Sequence, residues 1–178
     1  MKKHGATVSR QKPDSRLYER CAVLAEVVRA IKPIYNSPSA TRNQRQLLET
    51  MIGAAIWYFP QPDGLWTGKI SVEAVKAKQA RRQATRDHMY PQKVAAHELL
   101  LLDDSKLTAD NIHSLYREKF GKFNLVTKEE NRKLMRYQKA EVFVSPEKCY
   151  EEAGVKLIEA KELGDAISAL RESSRAAE

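Results

Sequence analysis

The stretch "FNLVTKEENRKL", residues 123–134, predicts a short strand that leads directly into a capped helix in the middle of the chain. Its first part, "FNLVT", is short and rich in β-forming side chains, which is typical of a strand. Thr127 and Glu130 then form a capping-box pattern, in which the hydroxyl and the carboxylate each bond the other residue's backbone N–H. A helix is therefore expected to begin near Lys128, with Asn131 in its first turn.

Upstream, the segment "ATRDHMYPQKVAAHELL", residues 84–100, sets Asp87 and His88 side by side at the end of a second short strand. Two interpretations stay open here. The pair either holds a metal ion and a general base, or it is two polar residues at a turn before Pro91, a residue favoured at the first position of a helix. Helix side chains tilt toward the N-terminus, so Asn131 is expected to point back to where Asp87 and His88 emerge.

Apolar side chains at helical spacing predict two N-terminal helices. The first is expected to stop before Pro33, because proline disrupts a helix interior, and the second is ended by the segment "PQPDG". The two are expected to pair as an antiparallel hairpin. Their apolar stripes consist of Leu17, Cys21, Leu24, Val28 and Ile31 in the first helix, and of Leu48, Ile52, Ala55 and Phe59 in the second. The aromatic cluster that follows is interpreted as core and loop anchors in preference to base-stacking groups; its members are Trp57, Tyr58, Phe59 and Trp66.

Short polar caps and helix breakers predict the remaining helices. Ser71 is expected to cap a third helix, "VEAVKAKQARRQ", and Thr108 a later one that ends at Gly121. The segment "QKVAAHELLLL" lies between them and also favours a helix. Ser145 with Pro146 indicates another helix start, Gly154 its end, and residues 160–178 favour a final helix.

The composition favours a polyanionic partner. Lysine and arginine number 31 against 23 acidic residues, a formal net charge of +8, and nucleic acid is the leading partner class for such an excess.

Cys21 and Cys149 lie far apart with no Cys-x-x-Cys spacing, which argues against a structural zinc site and suits two free, buried thiols in a reducing cytoplasm. The longest uncharged apolar run, "MIGAAIWYFP", is ten residues, and the basic start leads into no apolar segment. We therefore expect a cytoplasmic protein that neither carries a signal peptide nor crosses a membrane.

Basic side chains surround the Asp-His pair, and Asp87 is the only acid within residues 76–93. A solvated helix face and a phosphate-binding surface are equally good interpretations of this run. The candidate nucleic-acid-binding residues are Lys76, Lys78, Arg81, Arg82, Arg86, Lys93, Arg132 and Lys133.

Together, "RDHMYPQKV" and "FNLVTKEENRKL" resemble the HNH, or ββα-metal, nucleases, over residues 85–139. By that resemblance His88 would be the general base that activates a water, while Asp87 and Asn131 would hold a Mg²⁺ or Mn²⁺ ion. Asn124 would orient the His88 ring through its backbone carbonyl or its side chain, with Asn111 as the alternative for this role. The 43 positions from His88 to Asn131 imply an inserted helical pair between the two strands.

We therefore expect a mainly α-helical fold with an embedded small ββα-metal unit. The expected regions are an N-terminal helical part, residues 1–70, an HNH-like unit with its insertion, residues 71–145, and a C-terminal helical segment, residues 146–178. The leading hypothesis is a metal-dependent endonuclease that cuts DNA, and a homodimer would suit the cutting of both strands. Two alternatives stay open: a basic helical protein that binds nucleic acid without catalysis, and a helical interaction protein whose charge is incidental. His97 and His113 are interpreted as packing or surface residues, with His113 as the substitute base.

Overall fold

The computed structural model describes residues 13–139 and 142–159. Most of the described chain is helical, as expected. The helices are α1 (Pro13–Tyr35), α2 (Arg42–Trp57), α3 (Val72–Gln79), α4 (Gln92–Leu101), a 3₁₀ turn (Asp104–Lys106), α5 (Ala109–Leu115) with a following π-helical turn (Tyr116–Phe120), α6 (Lys128–Leu134) and α7 (Pro146–Glu152). The expected helix over residues 160–178 lies outside the described residues.

A four-stranded sheet crosses the middle of the molecule. Its strands are β1 (Trp66–Ser71), β2 (Thr85–His88), β3 (Phe123–Val126) and β4 (Leu157–Glu159), in the spatial order β2-β3-β1-β4. Strands β1 and β3 run parallel, and the other two pairs are antiparallel. The predicted strands β2 and β3 are therefore present, but they belong to a larger sheet than the two-stranded unit that was expected.

Strands β1 and β4 were not predicted, because neither carries a clear strand pattern. Gly68 interrupts β1 with a positive φ of 85°, and β4 is only three residues long. Their pairing partners lie far away in sequence, so local alternation of apolar and polar residues does not reveal them.

The caps that the sequence predicts are in place. The Ser71, Thr108, Thr127 and Ser145 side chains each accept the expected backbone N–H at the start of a helix. Thr127 and Glu130 form the complete capping box. Each of these bonds joins a cap to a residue three positions later, so the local sequence predicts it.

Helix α1 runs through Pro33 to Tyr35, so the prediction that it stops before the proline is wrong. Pro33 stands in the last turn, where its missing N–H removes only one hydrogen bond. Tyr35 is buried and donates its hydroxyl to Glu49 Oε1 across 2.6 Å. This contact anchors the final turn to α2.

The buried face of α2 is rotated from the predicted stripe. Ala55 is exposed, whereas Gly53 and Ile56 are buried. A Cβ atom at Gly53 would lie 3.2 Å from the Gln92 carbonyl carbon, so this glycine lets α4 approach α2 closely. The helix is therefore oriented by α4, a segment that follows it by more than thirty positions.

The aromatic cluster at and beyond the end of α2 is mostly exposed, so three of its four members do not lie in the core. Phe59 is buried, while Trp57, Tyr58 and Trp66 are 58%, 72% and 41% exposed. Trp57 instead lies against His88, with ring centroids 5.8 Å apart.

One large apolar core joins the N-terminal helices to the inserted helices α4 and α5. Leu17 and Ile52 pack in the same cluster as Leu99 and Ile112. The proposed boundary near residue 70 therefore does not separate two cores. A smaller cluster joins the end of β3 to α6 and α7 through Val126, Leu134, Cys149, Tyr150 and Val155.

Both cysteines are free and buried, as predicted. Burial raises the pKa of Cys21 to about 12, so this thiol stays protonated. Among the described helices, none has the length and apolar character that a bilayer crossing requires.

Candidate functional site

The Asp87 carboxylate lies at the centre of a buried polar cluster. Its side chain is on the face of β2 that is covered by α7, and the residue is 2% exposed. The Gln138 Nε2 amide donates to Asp87 Oδ1 across 2.8 Å, and the Tyr150 hydroxyl donates to Asp87 Oδ2. Both carboxylate oxygens are thus engaged by protein donors.

Burial raises the pKa of Asp87, and the hydrogen bonds from Tyr150 and Gln138 act in the opposite direction. Burial also raises the pKa of Tyr150, and the nearby Asp87 adds to this shift. The phenol therefore keeps its proton and serves as a donor to the carboxylate.

Asn124 lies directly opposite Asp87 in the antiparallel β2–β3 pair. It is fully buried, and its Oδ1 accepts a hydrogen bond from the Thr67 hydroxyl. Its amide faces Tyr150 and lowers the pKa of that phenol. However, Asn124 Nδ2 makes no hydrogen bond of normal geometry within the described residues. An orphaned buried donor of this kind costs about 1–3 kcal/mol.

His88 occupies the opposite face of the same strand. Consecutive strand residues alternate between faces, and the His88 ring packs between Trp57 and Phe123, with ring centroids 5.8 and 6.2 Å away. The Arg86 guanidinium lies 4.9 Å from the centre of the Phe123 ring on this face. The structure thus separates Asp87 and His88, which the sequence analysis assigned to one site.

The pKa of His88 lies below its ordinary value of 6.5, because the ring is largely buried and because Arg86 is positively charged. The imidazole is therefore neutral at neutral pH and can accept a proton. Asn124 projects from the other face, so its side chain does not orient this ring.

Asn131 lies in the first turn of α6, as predicted, and is half-buried. The side chain that reaches Asp87 from this part of the chain is that of Gln138, which lies beyond the end of α6, seven positions after Asn131. Gln138 thus takes the place beside Asp87 that the sequence analysis gave to Asn131. Asn111, the alternative middle residue, binds the Lys106 carbonyl at the start of α5, with 2.8 Å between Nδ2 and the oxygen.

The oxygen donors of Asp87 and Asn131 suit Mg²⁺ by their chemistry. The described arrangement does not form that site, because both Asp87 carboxylate oxygens accept hydrogen bonds from protein side chains, Tyr150 and Gln138. Among residues 13–139 and 142–159, no group of three or more His, Cys, Asp or Glu side chains is arranged to hold a metal ion.

A basic groove of about 680 Å³ lies between α3 and α6. The parallel strands β1 and β3 end at the same edge of the sheet, so the helices that follow them start side by side. Glu130 links the two starts by accepting from the Ser71 hydroxyl, at 2.5 Å, and from the Thr127 backbone, at 2.8 Å. Two basic segments about fifty positions apart in sequence therefore line one surface.

We call this surface the α3–α6 groove; its basic lining residues are Lys76, Arg82, Lys128 and Lys133. Three acidic residues, Glu73, Glu129 and Glu130, line it too, and Glu73 pairs with Lys76 across 2.7 Å. Of the other predicted nucleic-acid-binding residues, Lys78, Arg81 and Arg132 are exposed on the same elements or directly beside them. Arg86 lies near His88, and Lys93 is exposed on α4, away from the groove.

Sequence analysis missed Gln138, Tyr150 and Thr67. Gln138 carried no helical-spacing signal, because α6 ends at Leu134, four positions earlier. Tyr150 and Thr67 carried none, because they meet Asp87 and Asn124 only through the tertiary fold.

Comparisons of the chain with protein-family models, with curated proteins and with solved structures return no match.

Proposed function

We propose that the chain is an HNH-type endonuclease that binds nucleic acid and hydrolyses its phosphodiester bonds. The observation that carries the proposal is the β2–β3–α6 unit. Two antiparallel strands set Asp87 opposite Asn124, and the second strand leads into a capped helix that packs against the first. This is the order of elements that the resemblance implies.

Substrate binding is supported by the α3–α6 groove next to this unit. Its lysine and arginine side chains contact phosphates without reading sequence, so they would hold the backbone of DNA, the expected substrate. The exposed Trp57 ring lies beside His88 and offers a surface on which an unpaired base can stack.

In this proposal His88 removes the proton from the attacking water. Its lowered pKa keeps the ring in the base form at neutral pH. Arg86, on the same face of β2, would hold a phosphate oxygen of the scissile group.

A divalent cation bound near Asp87 and Asn131 would stabilise the negative charge that builds on the phosphate and the leaving oxygen. For such an ion to reach Asp87, the Tyr150 and Gln138 side chains must leave the carboxylate. The proposal therefore requires that Tyr150, in α7, and Gln138, beyond the end of α6, move when substrate binds, and that the end of β2 brings Asp87 and His88 to the same phosphate.

A second candidate function is nucleic-acid binding without cleavage. One specific observation favours it: the two Asp87 oxygens already accept hydrogen bonds, and His88 faces the other side of the sheet. In this case the polar cluster serves the stability of the sheet, and the α3–α6 groove alone serves function.

The two candidates are separated by a cleavage assay. Supercoiled plasmid is incubated with the protein in Mg²⁺, in Mn²⁺ and in chelator, and an RNA of defined length is assayed in parallel. The nuclease converts plasmid to relaxed or linear forms only with metal, and His88→Ala lowers the rate by about a hundredfold or more. His113→Ala, in α5, tests the substitute base and keeps the wild-type rate if His88 is the base.

Retention of the fold in each variant is checked by circular dichroism. A wild-type protein that binds plasmid with steep salt dependence, yet leaves it intact in both metals, assigns the chain to the second candidate.

A further inference from the structure

A second cluster of polar side chains lies far from β2, at the junction of α1, α2 and α4. There a cavity of about 420 Å³ opens between the end of α1, the first half of α2 and the middle of α4. This volume lies in the range of small-molecule binding pockets. We call it the α2–α4 pocket; the lining residues that matter here are Tyr35, Arg42, Arg45, Glu49, His97 and Phe143.

Glu49 is a carboxylate within the buried face of α2, and the residue is 9% exposed. Its Oε1 accepts the Tyr35 hydroxyl across 2.6 Å and lies 3.0 Å from His97 Nδ1. Tyr35 Oη is itself 2.7 Å from His97 Nδ1. A buried carboxylate that engages both a phenol and an imidazole at a cavity wall is a costly arrangement, and such arrangements cluster at functional sites.

This network defines the tautomer of His97. Burial raises the pKa of Tyr35, so the phenol stays protonated and donates a hydrogen bond to Glu49 Oε1. The Tyr35 oxygen and the Glu49 carboxylate are then both acceptors toward His97 Nδ1, which must carry the hydrogen. In its neutral form the ring therefore has its lone pair on Nε2, on a side chain that is 51% exposed.

Two guanidinium groups stand at the same pocket. Arg45 uses two of its N–H groups to bind the Tyr35 and Ser37 carbonyls, at 3.1 and 3.2 Å. These bonds hold the turn between α1 and α2 and direct the arginine to the pocket wall. Arg42 lines the pocket one helical turn earlier. Paired guanidinium forks match the oxygens of a phosphate group.

The remaining walls are apolar. Phe143 and Val94 line the pocket opposite the arginines' helix, and the Tyr35 ring adds a further aromatic surface. A ligand complementary to all of these side chains carries an anionic group for the arginines, a planar ring for the aromatic surfaces, and a hydroxyl or N–H donor for His97.

We infer that the α2–α4 pocket binds a phosphate monoester that carries a planar ring, the chemistry of a nucleoside monophosphate. Arg42 and Arg45 hold the phosphate, Phe143 packs on the ring, and His97 Nε2 accepts a hydrogen bond from a ligand hydroxyl or N–H. Glu49 and Tyr35 are positioning residues that act through His97. This site is separate from the α3–α6 groove and does not depend on nuclease activity.

The test is isothermal titration of the full chain with each of three probes: adenosine 5′-monophosphate, adenosine and inorganic phosphate. The inference expects the nucleotide to bind at least tenfold more tightly than either part. Arg42→Ala and His97→Gln each weaken nucleotide binding by about tenfold or more, the loss expected for a hydrogen bond to a charged or oriented partner. Lys133→Ala, which changes only the α3–α6 groove, keeps the wild-type affinity for the nucleotide.

Three results would overturn the inference. They are a nucleotide affinity no better than that of inorganic phosphate, absence of binding at millimolar nucleotide, and a loss in Lys133→Ala equal to that in Arg42→Ala. The last of these would place the nucleotide in the α3–α6 groove.

A ¹⁵N spectrum of the histidine rings tests the positioning network on its own. The wild-type His97 ring is expected as the Nδ1–H tautomer, and Glu49→Gln shifts it toward a mixture of tautomers. A wild-type ring in the Nε2–H form would remove the acceptor on which ligand recognition depends.

Discussion

The Tyr150 hydroxyl donates a hydrogen bond to the buried carboxylate of Asp87, across 63 positions of sequence. This bond joins α7 to β2, and the Asp87 carboxylate takes its second bond from Gln138, beyond the end of α6. Three segments, namely β2, the stretch beyond α6, and α7, therefore meet at one carboxylate. Any function of Asp87 as a ligand must begin by breaking these contacts.

Tyr150→Phe is expected to destabilise the protein by about 1–3 kcal/mol near neutral pH, because it leaves a buried carboxylate short of one donor. The free energy of unfolding in urea measures the loss. Tyr137→Phe is a suitable control, since this phenol is half-buried in the same small cluster and does not bind Asp87.

The pH dependence of stability is expected to report the raised pKa of Asp87. The folded state holds this proton more tightly than the unfolded chain does, whose ordinary value is 3.8. The stabilisation is therefore fully present below pH 3.8 and declines as the pH rises through the folded pKa. Measured against Asp87→Asn, the wild type should lose relative stability as the pH rises; a constant difference across that range would contradict the raised pKa.

If the chain cleaves nucleic acid with His88 as base, the acidic limb of the rate profile should lie below pH 6.5. Burial and the charge of Arg86 both lower the pKa of His88, so the neutral form persists to lower pH than in a free histidine. Arg86→Gln removes one of the two causes and should move the limb to higher pH. The rate of plasmid relaxation as a function of pH measures the shift, and a limb above pH 7 would exclude His88 in this role.

Arg82→Ala and Lys133→Ala should each weaken DNA binding and reduce the slope of log K against log salt concentration by about 0.9. Each removes one phosphate contact from the α3–α6 groove. Lys93→Ala is the matched control, because Lys93 is exposed on α4 outside the groove. Fluorescence anisotropy of a labelled duplex at several salt concentrations gives the slopes. Equal effects of all three variants would indicate a diffuse charge effect without a defined groove.

Leu99→Ala in α4 should destabilise the protein by about 2–5 kcal/mol, since the residue is fully buried in the large core. Leu17→Ala in α1 should lower the same single urea transition, because both residues belong to one cluster. Two separate transitions, each sensitive to only one variant, would show that the N-terminal helices and the inserted helices unfold independently. The exposed change Leu101→Ala serves as the control.

Much of the local structure followed from the sequence, because its causes are local. Ser71, Thr127 and Ser145 each bind a backbone N–H three positions away, and such bonds form in nearly any surroundings. The order of β2, β3 and α6, and the burial of both cysteines, were also predictable from short patterns.

The exceptions among the helices have physical causes that local patterns do not contain. Helix α1 continues past Pro33 because Tyr35 is anchored by Glu49 on another helix. The buried face of α2 is set by the close approach of Gln92 to Gly53.

In the candidate site, too, the features with local causes were predictable from sequence and the long-range contacts were not. From the sequence alone, Asp87 and His88 were expected at the end of one strand, Asn124 in its neighbour and Asn131 on a capped helix. The alternation of side chains along a strand also sets Asp87 and His88 on opposite faces. The tertiary structure was needed to show that Tyr150 and Gln138 occupy the Asp87 carboxylate. It also brought Glu49 to His97, across 48 positions, and α3 beside α6. The reason is conformational entropy. A cap fixes only a few backbone torsions, whereas these contacts form only when the parallel β1–β3 pair and the helical core have closed the long loops between them.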